Sequence, residues 1–253
     1  MLVEVAKDAI TAAMRVAKRD GLRGVATRSL AHVADFARAR RFLRDARSLP
    51  ATSSPEQVVD LVLSNRAVRP LQIKSEILRL AEIVTDLQPR ALLEIRTAEG
   101  GTLFVFCRCA APNARVVSID LPGGGPFGGG YRVWRHTLYR RFAAASQSVR
   151  LIRADSHSFA TLKRVKSELA GSPLDFLFID GDHTYEGVKR DFEMYLPLVR
   201  EGGLIAMHDI ALPPTSANYG VHRFWAEVRD RFHAEELVEH PGQGAKGIGL
   251  VWT

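Results

Sequence analysis

The stretch LDFLFIDGDHTYEGVKRDFEMYLPLVREGGLIAMHDI, Leu174–Ile210, decides the fold of this chain. Two apolar runs in it, Leu174–Ile179 and Gly203–Met207, flank a helix-length segment at Thr184–Arg200. Strand, helix and strand in this order form a parallel βαβ unit, and parallel strands carry ligands at their carboxyl ends. Polar residues follow the two runs and are expected to meet in one crevice: Asp180, His183, His208 and Asp209. Carboxylates and imidazoles together suit a divalent metal, a general base, or both.

The same alternation of strand and helix patterns extends upstream. Apolar strands are predicted at Ala91–Ile95, Arg115–Ile119 and Val149–Arg153. Helical patterns follow these strands, among them Tyr131–Ala145. Near the carboxyl end, Glu236–Glu239 and Gly247–Trp252 are separated by seven residues, too few for a crossover helix, which predicts an antiparallel hairpin. These elements predict an α/β fold: a mostly parallel sheet, an antiparallel C-terminal hairpin and helices on both faces.

Positive charge is concentrated in the N-terminal part of the chain. Residues 1–49 carry 11 Lys and Arg against 5 Asp and Glu, which accounts for six of the seven net positive charges. Their apolar residues recur at helical spacing, so we interpret this segment as a solvated helical surface and not as a nucleic-acid-binding arm. The predicted organisation is a basic helical extension at 1–56 and an α/β domain at 57–253. These basic helices could cover the crevice or build a dimer, and we expect the chain to form a homo-oligomer.

Composition and cysteine content indicate the cellular compartment expected for the protein. The chain is 46% hydrophobic and 25% charged, as in ordinary globular domains, and no apolar run approaches the roughly 18 residues of a membrane span. The start of the chain lacks the charged-then-apolar order of a signal peptide. Cys107 and Cys109 are too close in sequence to bridge readily, and they lack a second pair for a metal site. We therefore expect a cytoplasmic protein without a membrane segment.

The ends of the upstream strands carry residues that suit a nucleoside. After the first strand, the small residues of Thr97–Thr102 let the backbone approach a ligand at a helix N-terminus. Asp120 follows the second strand, where a carboxylate can accept hydrogen bonds from both hydroxyls of a ribose. Asp155 and Ser156 follow the third strand, where an adenine amino group would lie.

Four longer runs carry a family resemblance. They are Glu94–Thr102, Ser118–Gly124, Asp175–Val188 and Gly202–Ile210. In these runs the chain resembles class I S-adenosylmethionine-dependent methyltransferases, and is most similar to bacterial metal-dependent O-methyltransferases that tailor antibiotics and sugars. The resemblance covers roughly residues 57–252. It implies a Rossmann-like seven-stranded sheet, and a cofactor site built by residues that include Glu94, Gly100, Asp120, Asp155 and Asp180.

The resemblance also implies a reactive centre. Asp180 and Asp209 match ligands of a magnesium ion, and His183 matches the general base that acts beside the metal-bound Asp180. His208 stands where the family carries an acidic ligand. Histidine is a softer ligand than carboxylate, so Mn²⁺, Fe²⁺ or Zn²⁺ are alternatives to Mg²⁺, and His208 could instead orient the substrate. The implied reaction is methyl transfer to a hydroxyl of a small molecule, a sugar or a secondary metabolite.

Arg96 departs from the family pattern, which has glycine at this position. An arginine adds a long cationic side chain where the backbone should approach the cofactor. Two interpretations stay open at this point. Arg96 could pair with the methionine carboxylate of the cofactor, or it could fill the site and leave a non-methylating binding or partner subunit.

Overall fold

The computed structural model describes residues 33–126, 130–212 and 218–253. The α-helices of these ranges are α1 (33–48), α2 (Pro55–Ser64), α3 (Lys74–Leu87), α4 (Gly101–Cys109), α5 (Arg135–Tyr139), α6 (Phe159–Leu169), α7 (Tyr185–Tyr195) and α8 (Val221–Arg229). The strands are β1 (Ala91–Ile95), β2 (Arg115–Asp120), β3 (Ser148–Arg153), β4 (Leu174–Ile179), β5 (Val199–His208), β6 (His233–Leu237) and β7 (Ile248–Trp252). None of these helices has the length and apolar composition needed to cross a membrane.

The seven strands form one sheet in the order β3-β2-β1-β4-β5-β7-β6. The first five strands of that order run parallel, and β7 runs antiparallel to both β5 and β6. The predicted mostly parallel sheet with an antiparallel C-terminal hairpin is therefore confirmed. The strand order reverses between β1 and β4, and at such a switch point the loops after the strands diverge and leave a crevice for a ligand.

Alternate residues of the central strands serve two separate cores. Leu92 of β1 packs with Phe176 and Phe178 of β4 on the face covered by α2, α3 and α4. Leu93 of β1 packs with Leu177 on the face covered by α6, α7 and α8. Side chains of a strand alternate between faces, so burial on both faces gives β1 and β4 the continuous apolar runs seen in the sequence.

The described part of the N-terminal extension packs on the first of these cores. Ala39, Phe42 and Ala46 of α1 are buried, and the Phe42 ring lies 4.9 Å from Phe104 of α4, measured between centroids. Residues 1–32, which carry much of the positive charge, lie outside the described residues. The predicted boundary after residue 56 falls inside α2 and stays a prediction.

Two predicted helices are shorter in the structure. The helix expected over Tyr131–Ala145 is limited to α5. Further along the chain, the Gln147 side chain closes a turn by accepting a hydrogen bond from the Ala144 N–H and donating to two backbone carbonyls. The helix expected over Thr184–Arg200 ends at Tyr195, followed by a 3₁₀ turn that contains Pro197. Proline lacks the N–H that would continue an α-helix, so the chain turns early into β5.

Candidate active site

Two adjoining cavities open at the carboxyl ends of the parallel strands. The larger cavity has a volume of about 270 Å³ and lies over the ends of β4 and β5, with Asp180, His183, His208 and Asp209 in its lining. The smaller cavity, of about 100 Å³, lies over the ends of β2 and β3. Arg96, directly after β1, lines both cavities. The strand ends therefore bring together the polar residues that the βαβ pattern predicts.

The smaller cavity combines a buried carboxylate with apolar walls. Asp120 lines it together with Asp155, Ser156 and the side chains of Ile95 and Ile119. The two carboxylate oxygens of Asp120 accept hydrogen bonds from the backbone N–H groups of residue 98 (2.6 Å) and residue 130 (2.8 Å). Burial raises the pKa of Asp120, although these two N–H donors oppose the shift. A carboxylate has about four acceptor positions, so two remain for a ligand.

Glu94 lies beneath the site and does not line either cavity. Its fully buried carboxyl group accepts hydrogen bonds from Thr102 Oγ1 and Ser118 Oγ, each at 2.6 Å. The Ser118 hydroxyl also lies 2.6 Å from Thr97 Oγ1. Burial raises the pKa of Glu94 to about 8 against the opposing effect of the two hydroxyl donors. Glu94 thus links β1, β2 and the start of α4, and supports the cofactor loop from below.

Gly100 begins α4 at the edge of the larger cavity. Its φ of +85° lies in the left-handed region, where glycine carries no steric cost. A Cβ at this position would lie 2.4 Å from the Tyr139 ring. The Tyr139 hydroxyl donates a hydrogen bond to the Ala98 carbonyl at 2.9 Å, so the ring is tied to the same loop. Glycine is therefore required here by both backbone conformation and space.

The floor of the larger cavity is a cluster of alternating charges. His183 Nδ1 lies 2.8 Å from Asp209 Oδ2, and His208 Nδ1 lies 3.0 Å from Asp209 Oδ1. His208 Nδ1 also lies 3.3 Å from Asp180 Oδ1. The backbone carbonyl of His183 accepts a hydrogen bond from the Gly220 N–H at 2.7 Å, which fixes the loop after β4. Because His183 Nδ1 faces Asp209, Nε2 is the ring nitrogen that is directed away from that carboxylate.

Charge pairing sets the protonation of this cluster. Burial opposes a charge on His208, but the attraction of Asp180 and Asp209 outweighs it and raises the pKa of His208 to about 10. Burial likewise opposes ionisation of Asp180 and Asp209, but His208 and the neighbouring cations hold the pKa of both carboxyl groups below the usual range. The two neighbouring carboxylates therefore favour the imidazolium form of His208.

Arg96 completes the cluster from the side of β1. Its Nη1 lies 2.6 Å from His183 Nε2 and 3.6 Å from Asp180 Oδ1, and it donates a hydrogen bond to the Asp180 carbonyl at 3.2 Å. The backbone of Arg96 has a φ of +83°, and that of Asp209 a φ of +65°. Such conformations are costly for residues other than glycine and persist where the surroundings hold them, often at functional sites.

Several residues of the larger cavity were not predicted. The buried Gln72 Oε1 and Tyr131 hydroxyl have no hydrogen-bond partner among the described residues, and both side chains line the cavity. Buried polar atoms are normally paired, so a ligand is the expected partner. Arg69 and Lys246 also line the cavity. They lie on the loops before α3 and before β7, where no strand-end pattern marks them in the sequence.

Comparisons with known proteins agree with this geometry. Residues 93–210 match a family model described as a methyltransferase domain. The chain has a methyltransferase fold. Its fold resembles that of an O-methyltransferase from Bacillus cereus solved with SAH, with a TM-score of 0.55 and 22% identity, covering 81% of this chain and 93% of that chain. It also resembles TomG of Streptomyces achromogenes, an O-methyltransferase involved in tomaymycin synthesis and solved with SAM. The TM-score for TomG is 0.53 at 19% identity, covering 80% of this chain and 89% of that chain.

A curated relative of this chain is the uncharacterized protein y4gI of Sinorhizobium fredii. It is 28% identical over 149 residues, which are 58% of this chain and 16% of that protein. The chain therefore spans only a small part of this relative's length.

The cluster also contains residue types that bind divalent metals. Ligand atoms of Asp180, His183 and Asp209 lie within 4.8 Å of one another, close enough to share one ion. However, an ion at a bonding distance of about 2.1 Å from both His183 Nε2 and Asp180 Oδ1 would lie within about 4 Å of Arg96 Nη1. At an effective dielectric constant near 20, the repulsion between the ion and the guanidinium would be about 8 kcal/mol, which offsets part of the attraction of the two carboxylates for the ion. With the Arg96 guanidinium in this place the cluster disfavours a resident divalent metal, and metal binding stays a prediction.

Proposed function

We propose that this protein is an S-adenosylmethionine-dependent O-methyltransferase that acts on a hydroxyl of a small molecule. The observation that carries the proposal is the position of the two cavities. A site suited to a nucleoside and a site with a histidine–aspartate pair adjoin over the carboxyl ends of one parallel sheet. The match of residues 93–210 to a methyltransferase domain supports the same reaction class.

The smaller cavity would hold the adenosine part of the cofactor. The remaining acceptor positions of Asp120 suit the two ribose hydroxyls, and Asp155 and Ser156 suit the adenine edge. The methionine part would extend past Gly100 and Arg96 into the larger cavity. Glu94 contributes by holding the loop through Thr102 and Ser118. These residues fit the cofactor in type and position.

His183 would act as the general base of the reaction. When bound, S-adenosylmethionine supplies a methyl group on a sulfonium, and its transfer to oxygen leaves S-adenosylhomocysteine. An acceptor hydroxyl has a pKa far above 7, so its proton must be removed as the oxygen attacks. His183 Nε2 would take that proton, while Asp209 beside Nδ1 orients the ring and stabilises the imidazolium that forms.

The acceptor would be a compact hydroxylated molecule. A cavity of about 270 Å³ lined by charged and polar side chains suits a sugar or a small secondary metabolite, and not a macromolecule. The role of the similar TomG in tomaymycin synthesis supports a secondary-metabolite acceptor. Assembly of the chain into a homo-oligomer and a cytoplasmic location remain predictions from the sequence.

The experiment that tests this function is isothermal titration of the protein with S-adenosylhomocysteine. The wild-type protein should bind one equivalent, and Asp120→Asn should bind at least about tenfold more weakly because a ribose hydrogen-bond acceptor becomes an amide. Asp175→Asn is the matched control. Asp175 also accepts hydrogen bonds from two backbone N–H groups, those of residues 90 and 91, but lies at the opposite end of the sheet.

The control should therefore leave the affinity for S-adenosylhomocysteine unchanged. If a folded wild-type protein produces no heat with millimolar S-adenosylhomocysteine, the proposed function is wrong. That result would favour the alternative of a non-methylating binding or partner subunit with Arg96 in the cofactor space.

A further inference from the structure

We propose that Arg96 is the built-in cation of this active site and replaces the divalent metal of related metal-dependent methyltransferases. The inference rests on the proposed function and adds a catalytic residue to it. Arg96 stands at a position that is glycine in the family the chain resembles. Its guanidinium lies beside Asp180, which the resemblance assigns to the metal, and beside His183, which the resemblance assigns as the general base.

The Arg96 guanidinium lies where a metal ion of this cluster would lie. Arg96 Nη1 lies 2.6 Å from His183 Nε2 and 3.6 Å from Asp180 Oδ1. A metal ion shared by Asp180, His183 and Asp209 would lie beside both of these atoms. Arg96 and a metal ion therefore compete for one place, and an arginine is charged at every physiological pH.

The backbone conformation of Arg96 supports the same role. Arg96 retains the left-handed conformation, with a φ of +83°, that a glycine would adopt without cost. Its backbone N–H donates to the Ile119 carbonyl at 2.8 Å, so the chain path after β1 continues the sheet ladder. The substitution therefore leaves the loop in place and adds one feature, a cation directed into the reactive cavity. The backbone strain is confined to Arg96, and what the arginine adds to the cavity is a positive charge.

A guanidinium can also supply the chemistry that a divalent metal would supply in this site. A divalent metal in such a site lowers the pKa of the acceptor hydroxyl and stabilises the oxygen as it attacks. A guanidinium can do the same by donating a hydrogen bond to that oxygen. An acceptor hydroxyl placed between Arg96 Nη1 and His183 Nε2 would replace their direct contact. Its proton would pass to His183 Nε2, its oxygen would bond to the methyl carbon, and the sulfonium S–C bond would break.

The test is Mn²⁺ binding to Arg96 variants, measured by titration calorimetry and by the electron paramagnetic resonance signal of free Mn²⁺. The wild-type protein should show no saturable Mn²⁺ site at millimolar metal. Arg96→Gly removes the cation and restores the residue that suits the backbone, and should bind Mn²⁺ at least about 100-fold more tightly than wild type. Asp180→Asn added to Arg96→Gly should abolish that site.

Arg96→Lys is the matched control, since it keeps both the positive charge and the strained backbone, and it should not bind Mn²⁺. Stoichiometric Mn²⁺ binding by the wild-type protein, or equal affinities in wild type and Arg96→Gly, would overturn the inference. S-adenosylhomocysteine is titrated into the same samples. Binding of S-adenosylhomocysteine together with Mn²⁺ by wild type would refute the role of Arg96 alone, whereas absence of S-adenosylhomocysteine binding would refute the proposed function.

Discussion

Glu94 makes the stability of this protein depend on pH in a way that one substitution can isolate. The carboxyl group is fully buried, and burial raises its pKa from 4.5 to about 8. Because the folded pKa exceeds the unfolded one, the folded state binds more protons between these two values. The free energy of unfolding should therefore fall as pH rises through this range, and level off above pH 8.

The magnitude follows from the size of the shift. Each pH unit between about 5 and 8 should remove about 1.4 kcal/mol from the free energy of unfolding. Between pH 6 and pH 9 the loss from Glu94 should total about 3 kcal/mol. Glu94→Gln keeps the shape of the side chain but cannot ionise. Its amide oxygen can accept a hydrogen bond from one of the hydroxyls of Thr102 and Ser118, and its NH2 group can donate to the other, as a protonated carboxyl group would. At pH 6 the variant should be close to wild type, and at pH 9 it should be more stable.

The assay is urea unfolding of wild type and Glu94→Gln at several pH values from 6 to 9, with the difference between the two curves as the readout. Contributions of all other groups cancel in that difference. Asp175→Asn serves as the control. Burial opposes ionisation of Asp175, but its hydrogen bond with Arg200 and two backbone N–H donors hold the pKa of the carboxyl group below its usual range. Asp175 is thus ionised in both states from pH 6 to 9, and its difference curve should be flat.

Parallel pH profiles for wild type and Glu94→Gln would refute this reasoning. They would mean that Glu94 is ionised in the folded protein at pH 6 and that its two hydroxyl donors outweigh burial.

Three further predictions concern the packing of α1, the start of α4 and the proposed base. Asp35→Asn removes the carboxylate that accepts two hydrogen bonds from buried Arg135, at 2.9 and 3.0 Å, and should lower the free energy of unfolding by about 2 kcal/mol in urea titrations; an unchanged midpoint would contradict a role for this pair in holding α1. Gly100→Ala places a Cβ against Tyr139 and should cost about 2 kcal/mol or more while abolishing binding of S-adenosylhomocysteine; normal affinity would show that the loop can move aside. His183→Asn should reduce turnover of any accepted substrate by about 100-fold or more with little change in S-adenosylhomocysteine affinity, and retained turnover would exclude it as the base.

The strand-end residues were predictable because a parallel sheet brings the carboxyl ends of its strands to one edge. Leu174–Ile179 is both predicted and observed as a strand, and this alone places Asp180 beside the residues after β1 and β5. The terminal hairpin followed from the short gap between its strands. Both inferences depend on the local pattern of apolar residues, which a single sequence shows, and on the general geometry of β-sheets.

The remaining features depend on tertiary packing. Gln72 and Lys246 reach the larger cavity from loops that carry no periodic pattern. The contact between Arg96 and His183 depends on the conformation of a long side chain, which sequence spacing does not specify. Glu94 does not line either cavity because Thr102 and Ser118 hold its carboxyl group in the core, and its place in the cofactor site stays a prediction.

The most direct test of the central claim is a crystal structure of the protein grown with saturating S-adenosylhomocysteine. The ribose hydroxyls should lie on Asp120, the adenine beside Asp155 and Ser156 in the smaller cavity, and the sulfur should be directed toward His183 in the larger one. Both cavities empty in such a crystal, or the ligand bound elsewhere on the chain, would contradict it.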